Sequence, residues 1–190
     1  YKVTGVQTCA LPIYAREIQT PEHGWGLDGV LRARAADLVG ILNGCDYNEW
    51  NPAQDQLLPA WYDVGDLGGK AICKQEVQRR FHLPERPDVP LFGLVSRFAY
   101  QKGIDVLAEA LPEILQMDVQ CVFLGQGEVW AHFVYGDLPV RFPGKAGAYV
   151  GYDDERAHLV YAGSDFFLMP SRYERSEEHT SELQSPCNLV

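Results

Sequence analysis

Two cations, Arg97 and Lys102, stand in the segment 96–103 (Ser-Arg-Phe-Ala-Tyr-Gln-Lys-Gly), which follows the apolar run 91–95. The run is typical of a parallel strand covered on both faces, and the residues after Gly103 have helical spacing. The free N–H groups and the dipole at a helix start favour an anion, and two neighbouring cations would strengthen phosphate binding. A solvated loop is the alternative. We favour the phosphate site because the chain as a whole is acidic, with a formal net charge of −10.

Two glycines, Gly125 and Gly127, follow the next apolar run, 119–124. Glycine allows a backbone segment to approach a ligand closely. The complete G-x-G-x-x-G pattern of dinucleotide-binding proteins is absent, so an ordinary turn explains the pair equally well.

A carboxylate and an aromatic ring complete the set of candidate residues. Residues 170–174 (Pro-Ser-Arg-Tyr-Glu) follow the apolar run 165–169 and place Glu174 at a strand end, although a surface loop would have the same composition. Tyr152 follows a predicted strand near Tyr149 and could stack on a nucleotide base. A half-buried packing residue is the commoner role of tyrosine.

The predicted elements after residue 90 alternate between strand and helix. Strands are expected at 91–95, at 119–124, around Tyr149 and at 165–169. One helix should follow Gly103 and break at Pro112, because an interior proline loses a hydrogen bond and clashes with the preceding turn. Another should be capped by Asp153 and closed by Gly163. This alternation predicts an α/β fold with a Rossmann-like half-sheet, in which ligands collect beyond the carboxyl ends of the strands.

The residues before position 90 predict fewer elements. A helix is expected at 30–36, a short buried strand at 38–42 and a helix at 69–81. The apolar face of the last helix is formed by Ile72, Cys73, Val77 and Phe81. Three prolines at 84, 87 and 90 then indicate an extended segment. His158 has no motif partner and is interpreted as a structural histidine, and the tryptophans are interpreted mainly as packing residues.

Composition limits the class of protein. Of the 190 residues, 46% are hydrophobic and 22% are charged, as in an ordinary globular protein. The acidic balance argues against nucleic acid or an anionic membrane as a general partner, and no apolar run has membrane-spanning length. The five cysteines are scattered without metal-ligand spacing. They predict reduced thiols in a cytoplasmic protein, with no metal or other cofactor.

Both ends of the chain differ in character from the rest. Residues 3–13 and 175–190 resemble translated sequencing-library adapters, and the second stretch has no helical or strand periodicity. A natural disordered tail is the alternative. We therefore expect residues 1–13 and 175–190 to be artefacts, and residues 14–174 to be the genuine coding sequence.

Several motifs, in the same order along the chain, resemble those of the glycogen and starch synthases. The specific ones are S-R-x-x-x-Q-K-G at 96–103 and P-S-R-Y-E at 170–174, while G-x-G at 125–127 adds little. Further similar stretches are Y-A-R-E-I at 14–18, G-x-G-L-D-G at 24–29, G-I-L-N-G-x-D at 40–46, W-x-P at 50–52, G-Y at 151–152 and G-x-D at 163–165. The resemblance covers nearly all of residues 14–174.

The resemblance implies a retaining glucosyltransferase of the GT-B fold. Such an enzyme transfers glucose from ADP-glucose, the donor of the bacterial and plant branch, to the non-reducing 4-hydroxyl of an α-1,4-glucan. It implies that Arg97 and Lys102 hold the donor diphosphate and that Glu174 contacts the donor sugar at the reaction centre. The implied binding residues are Asn43 for a glucose hydroxyl, Tyr152 beside the adenine, and Gly125 and Gly127 along the nucleotide pocket.

The resemblance also implies a division of the chain and a limit on its activity. The expected parts are the end of the N-terminal GT-B domain (14–55), an interdomain helical region (56–89) and a truncated C-terminal nucleotide-binding domain (90–174). The family's lysine-glycine-glycine-leucine loop and its later phosphate-binding loop have no counterpart here, so we expect this chain alone to be inactive and to expose apolar surface. A non-catalytic nucleotide- or glucan-binding α/β module is the alternative, and a dinucleotide-dependent dehydrogenase is disfavoured by the missing third glycine.

Overall fold

The structure is a computed structural model that describes residues 6–9, 12–41 and 46–172. These residues form two compact units, one up to Asp46 and the other from Tyr47 onward. None of the helices in the described part of the chain has the length and apolarity that crossing a bilayer requires.

The first unit is a parallel strand pair with short helices. Its elements are β1 (Val6–Cys9), α1 (Pro12–Glu17), α2 (Asp28–Ala33), a 3-10 helix (Ala35–Asp37) and β2 (Leu38–Ile41). β1 pairs with β2, and it lies in the stretch that resembles an adapter. The strand expected at 38–42 is present at Leu38–Ile41, but the expectation that it is buried is wrong. Val39 is 58% exposed, because side chains alternate along a strand and Val39 points to the open face.

The second unit contains the larger sheet and its helices. In chain order these are α3 (Gly68–Arg80), β3 (Leu91–Val95), a 3-10 helix (Tyr100–Lys102), α4 (Ile104–Ile114), β4 (Gln120–Gly125), α5 (Val129–Arg141), β5 (Ala146–Val150), α6 (Asp154–Gly163) and β6 (Phe166–Phe167). The strands lie in the order β5-β4-β3-β6 and all neighbours are parallel. The chain runs outward from β3 to β5 and then returns to β6 on the other side of β3. This is a Rossmann-like half-sheet whose topological switch point lies between β3 and β6, and it confirms the predicted α/β fold.

Helices cover both faces of this sheet. On one face Leu94 and Phe123 pack with buried residues of α4 and α5, such as Leu111 and Tyr135. On the other face the strand residues pack with α3 and α6; this second core includes Cys73, Val77, Leu91, Val122, Leu159 and Val160. Successive strand residues therefore point to opposite faces of the sheet, and both faces are covered by helices. This is why the strands are continuously apolar and do not alternate between apolar and polar residues.

Helix α3 agrees with the predicted range, but its buried face differs in detail. Cys73, Val77 and Phe81 are buried as expected, whereas Ile72 is 48% exposed. Lys74 takes the inner position instead. Its ammonium donates to Asp165 Oδ2 at 2.6 Å and to the carbonyl of Val89 at 2.7 Å, so the charge is buried with partners.

One prediction about a helix is wrong, and one helix was not predicted. Helix α4 continues through Pro112 to Ile114, and the buried Leu111 and Leu115 on either side hold that turn on the sheet. Helix α5 (Val129–Arg141) was not predicted from the sequence. Its buried Ala131, Tyr135 and Leu138 alternate with the exposed Val129, Phe133 and Val140, so the sequence lacks a clear polar face.

The last strand is shorter and less buried than its sequence predicts. β6 spans only Phe166–Phe167, and Phe166 is 52% exposed. Within the described residues β6 is an edge strand paired with β3, so one side of it has no neighbouring strand. The Phe166 ring stacks on Phe92, with ring centroids 5.0 Å apart. This contact explains why an apolar residue stands at a half-exposed position of an edge strand.

Candidate functional site

Four loops meet at the carboxyl edge of the larger sheet. They follow β3 (96–103), β4 (126–128), β5 (151–153) and β6 (168–172). Because all four strands are parallel, the segments that the sequence singled out share one edge, where open α/β sheets bind their ligands.

The loops after β3 and β4 are joined through their backbones. The N–H of Phe98 donates to the carbonyl of Gln126 at 2.7 Å, and the N–H of Glu128 donates to the carbonyl of Phe98 at 2.7 Å. A Cβ on Gly125 would lie 2.0 Å from the carbonyl oxygen of Ser96. A Cβ on Gly127 would lie 2.2 Å from that of Phe98. Both glycines are therefore required by contact between the loops, whatever else they contact.

Glu128 strengthens the same junction. Its Oε1 accepts a hydrogen bond from the backbone N–H of Tyr100 at 2.8 Å, and its Oε2 accepts one from Nε1 of Trp130 at 2.6 Å. The backbone N–H of Gly127 donates to Nε2 of His132 at 2.9 Å. Glu128 was not among the candidate residues predicted from the sequence, although its position directly after the G-x-G pair was the available signal.

The loops after β3 and β6 are also joined. Gly103 has a φ of 65°, in the left-handed region, and a Cβ on it would lie 2.0 Å from the carbonyl oxygen of Pro170. The backbone N–H of Arg172 donates to the carbonyl of Gln101 at 2.9 Å. The S-R-x-x-x-Q-K-G and P-S-R-Y-E motifs are therefore in direct contact across the switch point.

Arg172 is the second site residue that sequence analysis missed. Its guanidinium makes two bonds to the carboxylate of Asp105, at 2.5 and 2.8 Å, and donates to the carbonyl of Tyr100 at 2.8 Å. It also stacks 3.9 Å above the centre of the Tyr100 ring. The hydrogen bonds from Arg172 are the largest cause of the lowered pKa of Asp105. Asp105 lies in the first turn of α4, so the Arg172 charge offsets a carboxylate at the helix start.

The two predicted phosphate-binding cations have different surroundings. Arg97 is exposed at the carboxyl edge. Lys102 is only 2% exposed and ends the 3-10 helix immediately before α4 begins. The predicted helix start beside these cations is therefore present. Buried lysine in a tight turn has fewer accessible orientations than a solvated one, so Lys102 is held in place.

Tyr152 lies at the same edge, after β5, with 76% of its surface exposed. Its hydroxyl donates to Oδ1 of Asp154 at 3.3 Å. The negative charge of Asp154 is the largest cause of the raised pKa of Tyr152, a side chain that is uncharged at neutral pH even without this shift. An exposed neutral ring is suited to stacking on a planar group.

Two of the predicted site residues, Asn43 and Glu174, lie outside the described residues. Five are placed: Arg97, Lys102, Gly125, Gly127 and Tyr152, all at one edge of the sheet. In residues 6–9, 12–41 and 46–172, no group of three or more His, Cys, Asp or Glu side chains is arranged to hold a metal ion.

His158 has the structural surroundings that its lack of a motif partner suggested. Its Nδ1 lies 2.7 Å from Oδ2 of Asp55, both side chains are buried, and Trp50 stacks on its ring at 3.8 Å. This cluster attaches the segment before α3 to helix α6.

Comparison with known proteins adds an independent line of evidence. Residues 89–182 match the family model described as glycosyl transferases group 1. The chain is 62% identical over 161 residues to glycogen synthase 1 of Geobacter sulfurreducens. This match covers 85% of the present chain and 32% of that protein. The chain is also 54% identical over 167 residues to the glycogen synthase of Myxococcus xanthus, and this match covers 88% of the present chain and 35% of that protein. The chain thus spans about a third of the length of the curated relatives it matches.

A solved structure agrees with these sequence matches. The catalytic domain of starch synthase IV from Arabidopsis thaliana, bound to ADP and acarbose, superposes with a TM-score of 0.86 at 31% identity. The match covers 95% of this chain and 37% of that one, and it confirms the GT-B assignment of the fold. Over its matched residues, the chain belongs to the group 1 glycosyl transferases and is a homologue of the glycogen and starch synthases.

Proposed function

We propose that this chain is the donor-binding part of a glycogen or starch synthase, which transfers glucose from ADP-glucose to the non-reducing 4-hydroxyl of an α-1,4-glucan with retention. The observation that carries the proposal is the contact between the two specific motifs. Gly103 and Pro170 touch across the switch point, so the loop that bears Lys102 adjoins the segment that leads to Glu174.

The cations of the β3 loop suit a diphosphate leaving group. As the bond between the anomeric carbon and the donor phosphate breaks, its electron pair moves onto the diphosphate. Arg97 and Lys102 would stabilise that developing charge through charge-assisted hydrogen bonds. The bond from the anomeric carbon to the acceptor O4 forms on the same face of the sugar, and the acceptor proton passes to the departing phosphate. Lys102 is buried, which strengthens such an interaction relative to bulk water.

The roles of the remaining site residues are proposed from the resemblance to the glycogen and starch synthases, and for Tyr152, Gly125 and Gly127 they are supported by a position at the carboxyl edge of the sheet. Tyr152 would stack beside the adenine, for which its exposed neutral ring is suited. Gly125 and Gly127 would line the nucleotide pocket, in addition to their contact with the β3 loop. Glu174 would contact the donor sugar, and Asn43 would bind a glucose hydroxyl.

We also propose that the base of the nucleotide-sugar donor is adenine. This proposal is supported by the resemblance to the bacterial and plant branch, and by the ADP named in the starch synthase IV structure, where it is a ligand of that protein. We further propose a cytoplasmic location, supported by the buried free thiols of Cys73 and Cys121. We also propose the domain division at residues 14–55, 56–89 and 90–174.

The test is a glucosyl-transfer assay on the full-length protein recovered from the source DNA, with ADP-glucose or UDP-glucose as donor and glycogen as acceptor. Lys102→Ala should lower kcat roughly 100-fold or more, as removal of one charge-stabilising donor does in other enzymes. Glu174→Ala should also abolish most of the activity.

Lys145→Ala is the matched control. Lys145 precedes β5 at the amino edge of the sheet, where its ammonium donates to the carbonyls of Leu115 and Met117. This variant should keep kcat within about twofold of the wild type, because removal of a lysine away from the site affects only stability. Absence of transfer by the wild type with either donor, or equal kcat values for Lys102→Ala and Lys145→Ala, would contradict the proposal.

A further inference from the structure

The backbone of Tyr100 is bound at both its N–H and its carbonyl by charged side chains of neighbouring loops. Glu128, after β4, accepts from its N–H at 2.8 Å. Arg172, after β6, donates to its carbonyl at 2.8 Å. The β3 loop is therefore fixed between the two loops that flank it in the sheet.

The carbonyl of Tyr100 also closes the turn that carries Lys102. The N–H of Gly103 donates to it at 3.1 Å, and the N–H of Lys102 donates to the carbonyl of Ala99 at 2.9 Å. Arg172 thus binds the same oxygen that defines this 3-10 turn. A change at Arg172 would alter the orientation of the turn, and with it the orientation of Lys102.

Arginine suits this position better than lysine does. The planar guanidinium bonds both carboxylate oxygens of Asp105, donates to the Tyr100 carbonyl and stacks on the Tyr100 ring. A lysine ammonium could replace the charge but not the fork of donors or the stacked plane. The four contacts together connect the β6 loop, the β3 loop and the first turn of α4.

We propose that Arg172, held by Asp105, is a positioning residue that sets the orientation of Lys102 toward the donor diphosphate. This inference rests on the proposed function, because it gives Lys102 its role in binding the leaving group. Arg172 itself touches neither substrate in this account. Its effect is transmitted through the Tyr100 carbonyl and the 3-10 turn.

The variants that test the proposal are Arg172→Gln, Arg172→Lys and Asp105→Asn in the full-length protein. Arg86→Gln is the matched control. Arg86 also bonds both oxygens of one aspartate, Asp118, at 2.7 and 3.0 Å, but this pair lies at the amino edge of the sheet. Loss of either exposed pair should affect thermal stability to a similar, small extent.

The measurements are the kcat and KM for ADP-glucose, the KM for glycogen, and the Kd of ADP by calorimetry. Arg172→Gln should lower kcat/KM for ADP-glucose by roughly 10- to 100-fold, the size expected for a misplaced catalytic group, and should weaken ADP binding. The KM for glycogen should stay within about twofold of its wild-type value, since the acceptor does not contact Lys102 in this scheme. Arg172→Lys should recover part of the loss, and Asp105→Asn should show a smaller loss.

The controls separate positioning from simple structural support. Arg86→Gln should leave kcat/KM and ADP affinity unchanged while lowering the thermal midpoint about as much as Arg172→Gln. If Arg172→Gln loses only thermal stability and keeps normal kcat/KM and ADP affinity, the positioning role is wrong although the proposed function stands. If the wild type transfers no glucose, the proposed function fails and this inference fails with it.

Discussion

Replacement of Gly103 by alanine tests the contact between the two motif loops. Gly103 has a φ of 65°, and an alanine Cβ would lie 2.0 Å from the carbonyl oxygen of Pro170. Gly144 provides the matched control in the same unit, with a φ of 76° and a nearest neighbour, Cδ of Pro84, at an ordinary 3.6 Å. Alanine would therefore meet the same unfavourable positive φ at both sites, but only at Gly103 would its Cβ also clash with a backbone carbonyl.

The expected cost follows from these two contributions. A non-glycine residue in the left-handed region costs about 1–2 kcal/mol, which should be the whole effect at Gly144. At Gly103 the carbonyl of Pro170 must also move by more than about 1 Å to reach ordinary contact. That movement would break the bond from the Arg172 N–H to the Gln101 carbonyl, worth about 1 kcal/mol, and disturb its neighbours. We expect Gly103→Ala to cost about 2–3 kcal/mol in total.

The assay is thermal and urea unfolding of both variants in the full-length protein. Gly103→Ala should lower the free energy of unfolding by about 2–3 kcal/mol and Gly144→Ala by about 1–2 kcal/mol, and the thermal midpoints should fall in the same order. Equal losses of stability in the two variants would refute the reasoning, since they would show that the Pro170 carbonyl does not press against Gly103.

Three further outcomes are expected. Tyr135→Phe should cost about 1 kcal/mol through the lost hydrogen bond to the Ile104 carbonyl, measured by urea unfolding. Burial raises the pKa of Tyr135, so the folded state keeps this proton longer than the unfolded state. Its contribution to stability is therefore intact below about pH 10 and lost as the pH rises further; Tyr135→Phe should flatten that decline. Lys74→Met should cost about 2–4 kcal/mol, measured by urea unfolding, because it leaves Asp165 without its ammonium partner. Lys74→Arg should not restore full stability, because a planar guanidinium cannot reproduce the three bonds of the buried ammonium to Pro87, Val89 and Asp165. Burial raises the pKa of Cys121 to about 12, so this thiol should resist alkylation at pH 8 in the folded protein and react only on unfolding.

The sheet of the second unit could be predicted from local sequence because its strands are buried on both faces. The run 91–95 coincides with β3, and the run 119–124 nearly coincides with β4. The Asp153 cap is also confirmed, since its side chain accepts from the N–H of Arg156 at 2.9 Å. Each of these features depends on a few adjacent residues, which the sequence displays directly.

Features that depend on tertiary packing were not predictable in this way. Pro112 lies inside α4 because core contacts outweigh a local breaking tendency. The partners of Tyr100, which are Glu128 and Arg172, lie 28 and 72 residues further along the chain. Nothing in the local pattern relates them. For the glycine pair after β4, the sequence left a close approach to a ligand and an ordinary turn equally open, and it gave no sign that the β3 loop packs against both glycines.

The most direct test of the central claim is a crystal structure of the full-length protein with ADP. The account predicts that the diphosphate lies at the carboxyl edge between β3 and β6, with oxygens at roughly 2.7–2.9 Å from the Lys102 ammonium and the Arg97 guanidinium. The adenine should lie against Tyr152. ADP bound elsewhere on the protein, with both cations facing away from it, would contradict the account.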